Sequence, residues 1–284
     1  VEKLLKNISS RGIYDQLAGG IARYTVDKEW IVPHFEKMLY DNILFVKLLN
    51  NYVNYTKDSY LKNKLQQTIN YINTSFKNSN NLIGSAYDAD SDGIEGKYYI
   101  WKYNELENIL QNDLELFKKK YKITKEGNFE KSNILIENKD FKLSTDENSK
   151  IKEIENKLIS IREKRIKPFF DDKTQTDLNS YWIYTILHSS LILEDENLFK
   201  VSIKYFDLLN ENLKNNIYHC YNKNRQEIDV FLEDYVYFSL LLISVYEVKN
   251  DKNSLKKCEN LLKETWELFY DSENQLLQKN IKRT

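Results

Sequence analysis

The stretch from 33 to 53, PHFEKMLYDNILFVKLLNNYV, decides the structural class of this 284-residue chain. Apolar residues at 35, 38, 39, 43, 46, 49 and 53 recur at helical spacing and form one stripe. Pro33 fixes its own φ and pushes Val32 toward extended backbone, so the pattern predicts a turn before His34 and a helix over 35–56. Outward from there, the same periodicity predicts helices over 60–77, 104–120, 149–164, 177–193, 196–214, 229–249 and 252–270. Two prolines and seven glycines leave few breakers, so the chain is expected to be mainly α, with several helices pairing as hairpins.

The middle of the chain interrupts this pattern. KYYIW at 97–101 and NILI at 133–136 read as short strands, and Asn104 followed by Glu107 is a capping-type helix start. Glycines at 84, 93 and 96 cluster beside the first strand, the kind of elaborated connection that carries function. The chain opens on Val1 inside an apolar-periodic segment (Val1, Leu4, Leu5, Ile8), which predicts a fragment whose 1–284 form a single domain.

Forty-two basic against forty-three acidic residues give a formal charge of −1, with no basic surplus to attract nucleic acid or an anionic membrane. Cys220 and Cys258 are too few for a disulfide framework or a zinc site. No run of about twenty apolar residues appears, so a cytoplasmic location is expected. A P-loop, a dinucleotide-binding glycine fingerprint, a serine nucleophile elbow and a redox CxxC are all missing from the sequence.

Four segments could carry chemistry. GIYDQLAGGIARYTVDKEWIVPHFEKMLYDN, 12–42, packs His34 beside Glu36, Lys37 and Asp41, with Gly19, Gly20 and the aromatics Tyr14, Tyr24, Trp30, Phe35 and Tyr40 around them. That is a polar pocket at a helix mouth; the competing reading is a histidine satisfying a loop carbonyl, with ordinary first-turn charges. GSAYDADSDGIEGKYYIW, 84–101, holds Asp88, Asp90, Asp92 and Glu95. Its DxDxDG portion resembles the start of a calcium loop, but Tyr99 stands where a bidentate glutamate is needed, so an acidic sugar- or proton-handling loop is favoured. REKRIKPFFDDKTQTDLNSYW, 162–182, sets Asp171 and Asp172 among cations, suited either to acid–base work or to capping and surface pairing. FLEDYVYFSLL, 231–241, places Glu233 and Asp234 at a helix start, where they complement the dipole. His188 and His219 lie in ordinary contexts and read as structural.

In family order, the first of these segments, SAYDADSDGIEGKYYIW, GNFEKSNIL at 127–135, RIKPFFDDKTQTDLN at 165–179 and FLEDY at 231–235 resemble the thioredoxin-domain-containing family that includes the spermatogenesis-associated thioredoxin-like proteins. The resemblance implies an incomplete (α/α) toroid of helical hairpins, similar to the six-hairpin glycosidases and N-acylglucosamine epimerases, with a short β insertion. It also implies a thioredoxin-like domain before Val1 as partner. Leu178 and Ser180 stand where the family usually has tryptophan and glycine around Asn179, and Ala18 replaces a usual glycine.

The function this implies is carbohydrate-active, sugar-binding or sugar-processing, without cofactor or metal; the alternative is a non-catalytic scaffold docking the thioredoxin-like domain. Similar epimerases generally move a proton with a histidine pair, and here only His34 lies in a matching segment, which favours carboxylates. Asp88 or Asp90 with Asp171 or Asp172 would share acid and base roles, as in glycoside hydrolysis, and His34 and Glu36 would orient substrate or transfer a proton. Arg23, Lys97 and Lys173 would bind hydroxyls or an acidic substituent. Tyr24, Trp30, Lys37, Asp41, Glu95, Tyr99, Trp101, Asn179 and Asp234 complete the expected contacts to a small sugar.

Overall fold

The computed structural model describes residues 1–214, 216–221 and 230–281. Among them the chain is mainly helical, with short two-residue strands between helices. Its contacts divide it into two compact units, Val1–Ile72 with Ala86–Asp171, and Asn73–Ser85 with Asp172–Thr284.

The first unit contains α1 (Glu2–Ser10), β1 (Lys37–Met38), α2 (Leu39–Thr56) and most of α3 (Ser59–Ser75). It continues with β2 (Ala86–Tyr87), β3 (Asp90–Ser91), β4 (Ile94–Glu95), α4 (Tyr103–Leu110), α5 (Leu114–Lys120), α6 (Thr145–Arg162) and β5 (Phe170–Asp171). The predicted helix over 35–56 starts four residues late. His34 N–H bonds the Tyr24 carbonyl, Arg23 N–H bonds the Glu36 carbonyl, and β1 pairs antiparallel with β2, so extended partners satisfy the backbone that a helix would otherwise use. β2 in turn pairs with β5, Ala86 opposite Asp171.

The DxDxDG stretch forms a hairpin: Asp92 and Gly93, with φ of 54° and 71°, connect β3 to β4 in two residues. Positive φ at both positions is what the tight Asp-Gly hairpin turn demands. The helix expected over 104–120 is broken at Gln111, whose φ is 49°, and its start is Tyr103 rather than an Asn104 cap. The two strand-like runs are reduced to one bridge, Trp101 with Asn133. α6 begins at Thr145 because Ser144 and Glu147 close a capping box. Apolar faces of α4, α5 and α6 enclose Trp101, Leu106, Phe117, Tyr121, Ile154 and Leu158 in one core.

The second unit contains β6 (Thr174–Gln175), α7 (Thr176–Leu193), α8 (Glu196–Asn212), β7 (Cys220–Tyr221), α9 (Leu232–Lys249), α10 (Lys252–Phe269), β8 (Tyr270–Asp271) and β9 (Leu276–Leu277). α7 packs on α8 and on α9, and α9 on α10. The two helical hairpins are each closed by two residues, Glu194-Asp195 and Asn250-Asp251. In both, the first residue takes the left-handed conformation that ends a helix and the aspartate accepts a bond at the start of the next. The first residue of the helix expected over 229–249 lies outside the described residues.

Candidate functional site

In the second unit β6 pairs with β7, Gln175 opposite Cys220, which fixes His219 beside the start of α7. Thr176 N–H bonds the His219 carbonyl at 2.9 Å, and the Thr176 hydroxyl donates to the Tyr218 carbonyl. Asp234, in the first turn of α9, is fully buried. Its carboxylate accepts from the backbone N–H of Phe231 (2.8 Å), from that of Asp177 (3.1 Å) and from His219 Nδ1, 3.1 Å from both oxygens. One carboxylate thereby ties two helix N-termini to one imidazole.

Since a buried carboxylate only accepts, the His219 Nδ1 proton is fixed toward Asp234 and Nε2 is left with the looser partner, the Gln175 amide nitrogen at 3.4 Å. Phe231 packs edge-on against the ring at 4.6 Å. Burial works against an imidazolium here, but the hydrogen bond and charge of Asp234, with Asp177 and Glu233, outweigh it and raise the His219 pKa. Burial, reinforced by the Asp234 charge, pushes Asp177 up to about 6. Ligating atoms of Asp177, His219 and Asp234 all lie within 4.8 Å of one another, a spacing that a cation could bridge. Asp234, however, already holds three protein donors, which suits a proton site better.

In the first unit, His34 Nδ1 donates to Glu95 Oε1 at 2.9 Å and stacks on Tyr24, centroids 4.8 Å apart. Arg23 pairs with Glu36 at 3.1 Å. Asp41, in the first turn of α2, has its pKa pushed up to about 6 by burial, against the opposing charge of Arg23 and helped by Glu36; its Oδ2 is buried without a partner among the described residues. Lys37 is buried against Asp15 at 2.9 Å, and Asp15 also binds Arg162 at 3.0 Å. Tyr99 stacks on Phe35, 4.9 Å below the Lys37 ammonium.

Other expected site residues have local partners. Lys97 pairs with Asp92, and Asp88 accepts from Ala89 N–H. Asp88 and Asp90 are exposed. Trp101 is wholly buried, with the Arg165 guanidinium 3.9 Å from its ring centroid, and the Trp30 carbonyl accepts from Gly12 N–H. Asp171 lies in β5, Asp172 is exposed, and the Lys173 carbonyl accepts from the Ser85 hydroxyl. Asn179 is a buried clamp, accepting from Ile83 N–H and donating to the Ile83 and Gln175 carbonyls. His34 with Glu95, Arg23 with Glu36 and Asp41, and Lys37 with Tyr99 are therefore brought together. Asp234 meets Asp177, which the sequence does not single out, and His219, which the sequence reads as structural. Asp177 lies within 162–182 at a helix start, a signal that could have marked it; no motif surrounds His219.

No family model matches the chain. It is 24% identical to human spermatogenesis-associated protein 20 over 318 residues, covering 95% of this chain and 40% of that protein. It is 26% identical to an uncharacterized Caenorhabditis elegans protein, B0495.5, covering 93% of this chain and 42% of that one. The chain thus spans about 40% of the length of the curated relatives it matches. Among solved structures, the cellobiose 2-epimerase of Spirochaeta thermophila superposes with a TM-score of 0.56 at 7% identity, covering 95% of this chain and 54% of that one. The fold is that of the helical-hairpin (α/α) toroids to which such epimerases belong.

Proposed function

We propose that this chain is the sugar-processing helical part of a larger cytoplasmic protein that also carries a thioredoxin-like domain. Its reaction is proton transfer at C2 of a small reducing sugar. The observation that carries this reading is the buried Asp234 carboxylate holding His219 Nδ1 at 3.1 Å beside an Asp177 poised near pH 6.

Near neutrality Asp177 is ionised and His219, with its raised pKa, keeps an imidazolium population, so the base and the acid coexist in the states they need. Asp177 takes the C2 proton of the open-chain aldose, the electron pair moves into a C1–C2 double bond, and His219 Nε2–H protonates the C1 oxygen. The return step delivers the Asp177 proton to C1 while His219 recovers the proton of the C2 hydroxyl, giving a ketose. A single base on one face is sufficient for this isomerisation; inversion at C2 needs delivery from the opposite face. His34, Glu36, Asp41 and Tyr24 form a second polar and aromatic group suited to hydroxyls and a sugar ring face. Asp88, Asp90, Asp171 and Asp172 are secondary candidates for acid–base work.

The test is incubation of the protein in D2O with cellobiose, mannose and glucose, followed by proton NMR. Loss of the C2–H signal with ketose formation, abolished in Asp177→Asn and His219→Asn, is expected. A non-catalytic docking role is favoured by the local engagement of Asn179 and Trp101, and it predicts no exchange with any sugar.

A further inference from the structure

Within the first unit, Asp15, Lys37 and Arg162 line a cavity of about 30 Å³ together with Gly12, Tyr14 and Tyr99. That volume admits one or two water-sized species and no sugar. Its charges do not balance: two cations, each 2% exposed, face one carboxylate. Asp15 has nothing further to give. Its Oδ1 accepts from Arg162 Nη1 and from the N–H groups of Leu17 and Ala18, and its Oδ2 from Lys37 Nζ. Arg162 Nε is left buried with no acceptor among the described residues, a loss that a well-packed interior normally avoids.

The surrounding rings soften this imbalance without cancelling it. Lys37 lies over Tyr71 and Tyr99, and Arg162 over Tyr98 and Tyr99, contacts that supply quadrupole attraction but no formal negative charge. Burial, only partly offset by Asp15 and aggravated by Arg162, pulls the Lys37 ammonium down to about 8, whereas the charge and hydrogen bond of Asp15 outweigh burial at Arg162 and hold it above its ordinary value, so the shortfall falls on Lys37. A single small anion would accept from Arg162 Nε, neutralise the surplus cation and fit the volume. We propose that this cavity is a binding site for one monovalent inorganic anion of the halide class, held by Arg162 and Lys37. The bound anion would brace the 12–22 loop, which supplies Asp15, against α6, which supplies Arg162.

Two measurements test it. Crystals of the protein grown in sodium bromide should show an anomalous peak in the cavity, within hydrogen-bonding reach of Arg162 Nε and Lys37 Nζ. In solution, the thermal midpoint should rise in sodium bromide relative to sodium gluconate at equal ionic strength, by about 3 °C at ten times the dissociation constant. Lys37→Met removes the surplus charge and should abolish that difference. A native crystal with no bromide in the cavity overturns the proposal, as do equal midpoints in the two salts or a bromide effect that persists in Lys37→Met.

Discussion

His219 Nδ1 sits 3.1 Å from both oxygens of a fully buried Asp234, and the same carboxylate accepts the backbone N–H of Asp177. The groups proposed as base and acid are thus held by one anchor, and each feels its charge. Asp234 raises Asp177 by repulsion and raises His219 by attraction, so the anchor moves both titrations upward together. The exchange rate with a responsive sugar should therefore climb as pH rises through about 6, where Asp177 ionises, and fall again on the alkaline side as His219 loses its second proton. Initial rates across the acid and alkaline limbs check this, and an acid limb unmoved in Asp234→Asn would remove Asp234 from control of Asp177.

Asp234 should matter to stability as much as to rate. It accepts from Phe231 and Asp177 N–H groups and from His219, and removal of one partner from a buried charged network costs about 3 kcal/mol. Asp234→Ala should lower the stability measured by urea unfolding by that amount. Glu233→Ala, one residue away and partly exposed, should change it by less than about 1 kcal/mol.

The contrast between Asp234 and His219 marks how far the sequence could be read. Asp234 was legible as a first-turn acid because helix periodicity and dipole preference are local signals. His219 was not, since its role depends on β6 pairing with β7 and on a carboxylate fifteen residues away. Helices α7 to α10 follow the apolar spacing to within three residues, and most closely where a local stop and cap separate them, at Glu194-Asp195 and Asn250-Asp251; α9 begins at Leu232 and α8 ends at Asn212. The helix mouth at 35–38 went to strand pairing instead, a tertiary choice with no marker in its own residues. The acidic 88–95 run was legible as chemistry but is built as a hairpin, its Asp-Gly pair satisfying a turn.

Two glycines with similar backbone should respond very differently to alanine. At Gly20, φ is +80° and an added Cβ would come within 2.7 Å of the Tyr71 ring, so strain and clash combine. At Gly93, φ is +71° but nothing lies within 4 Å, which leaves backbone strain alone. Gly93→Ala should cost about 1 kcal/mol and Gly20→Ala about 3 kcal/mol in urea unfolding. Equal losses would show that the Tyr71 ring moves aside without penalty.

Stability should be greater at mildly acidic pH than at neutrality. Asp177 and Asp41 have folded pKa values of about 6 against 3.8 for the free side chain, so between these values the native state binds more protons than the unfolded chain. Stability therefore falls as pH rises through that window. His219 acts in the same direction, because its raised pKa contributes stability below 6.5 that is lost as pH climbs through the folded value. Asp15 works oppositely: the charges of Lys37 and Arg162 overcome its burial and hold it well below the usual carboxylate range, so its contribution is present above pH 3.8 and lost in stronger acid. The urea midpoint should thus peak near about pH 4 and decline above it, with a negative slope from pH 5 to 7.5 that becomes shallower in Asp177→Asn. A midpoint that rises steadily from pH 5 to 7.5 would show that Asp177 and Asp41 titrate near their ordinary values in the folded protein.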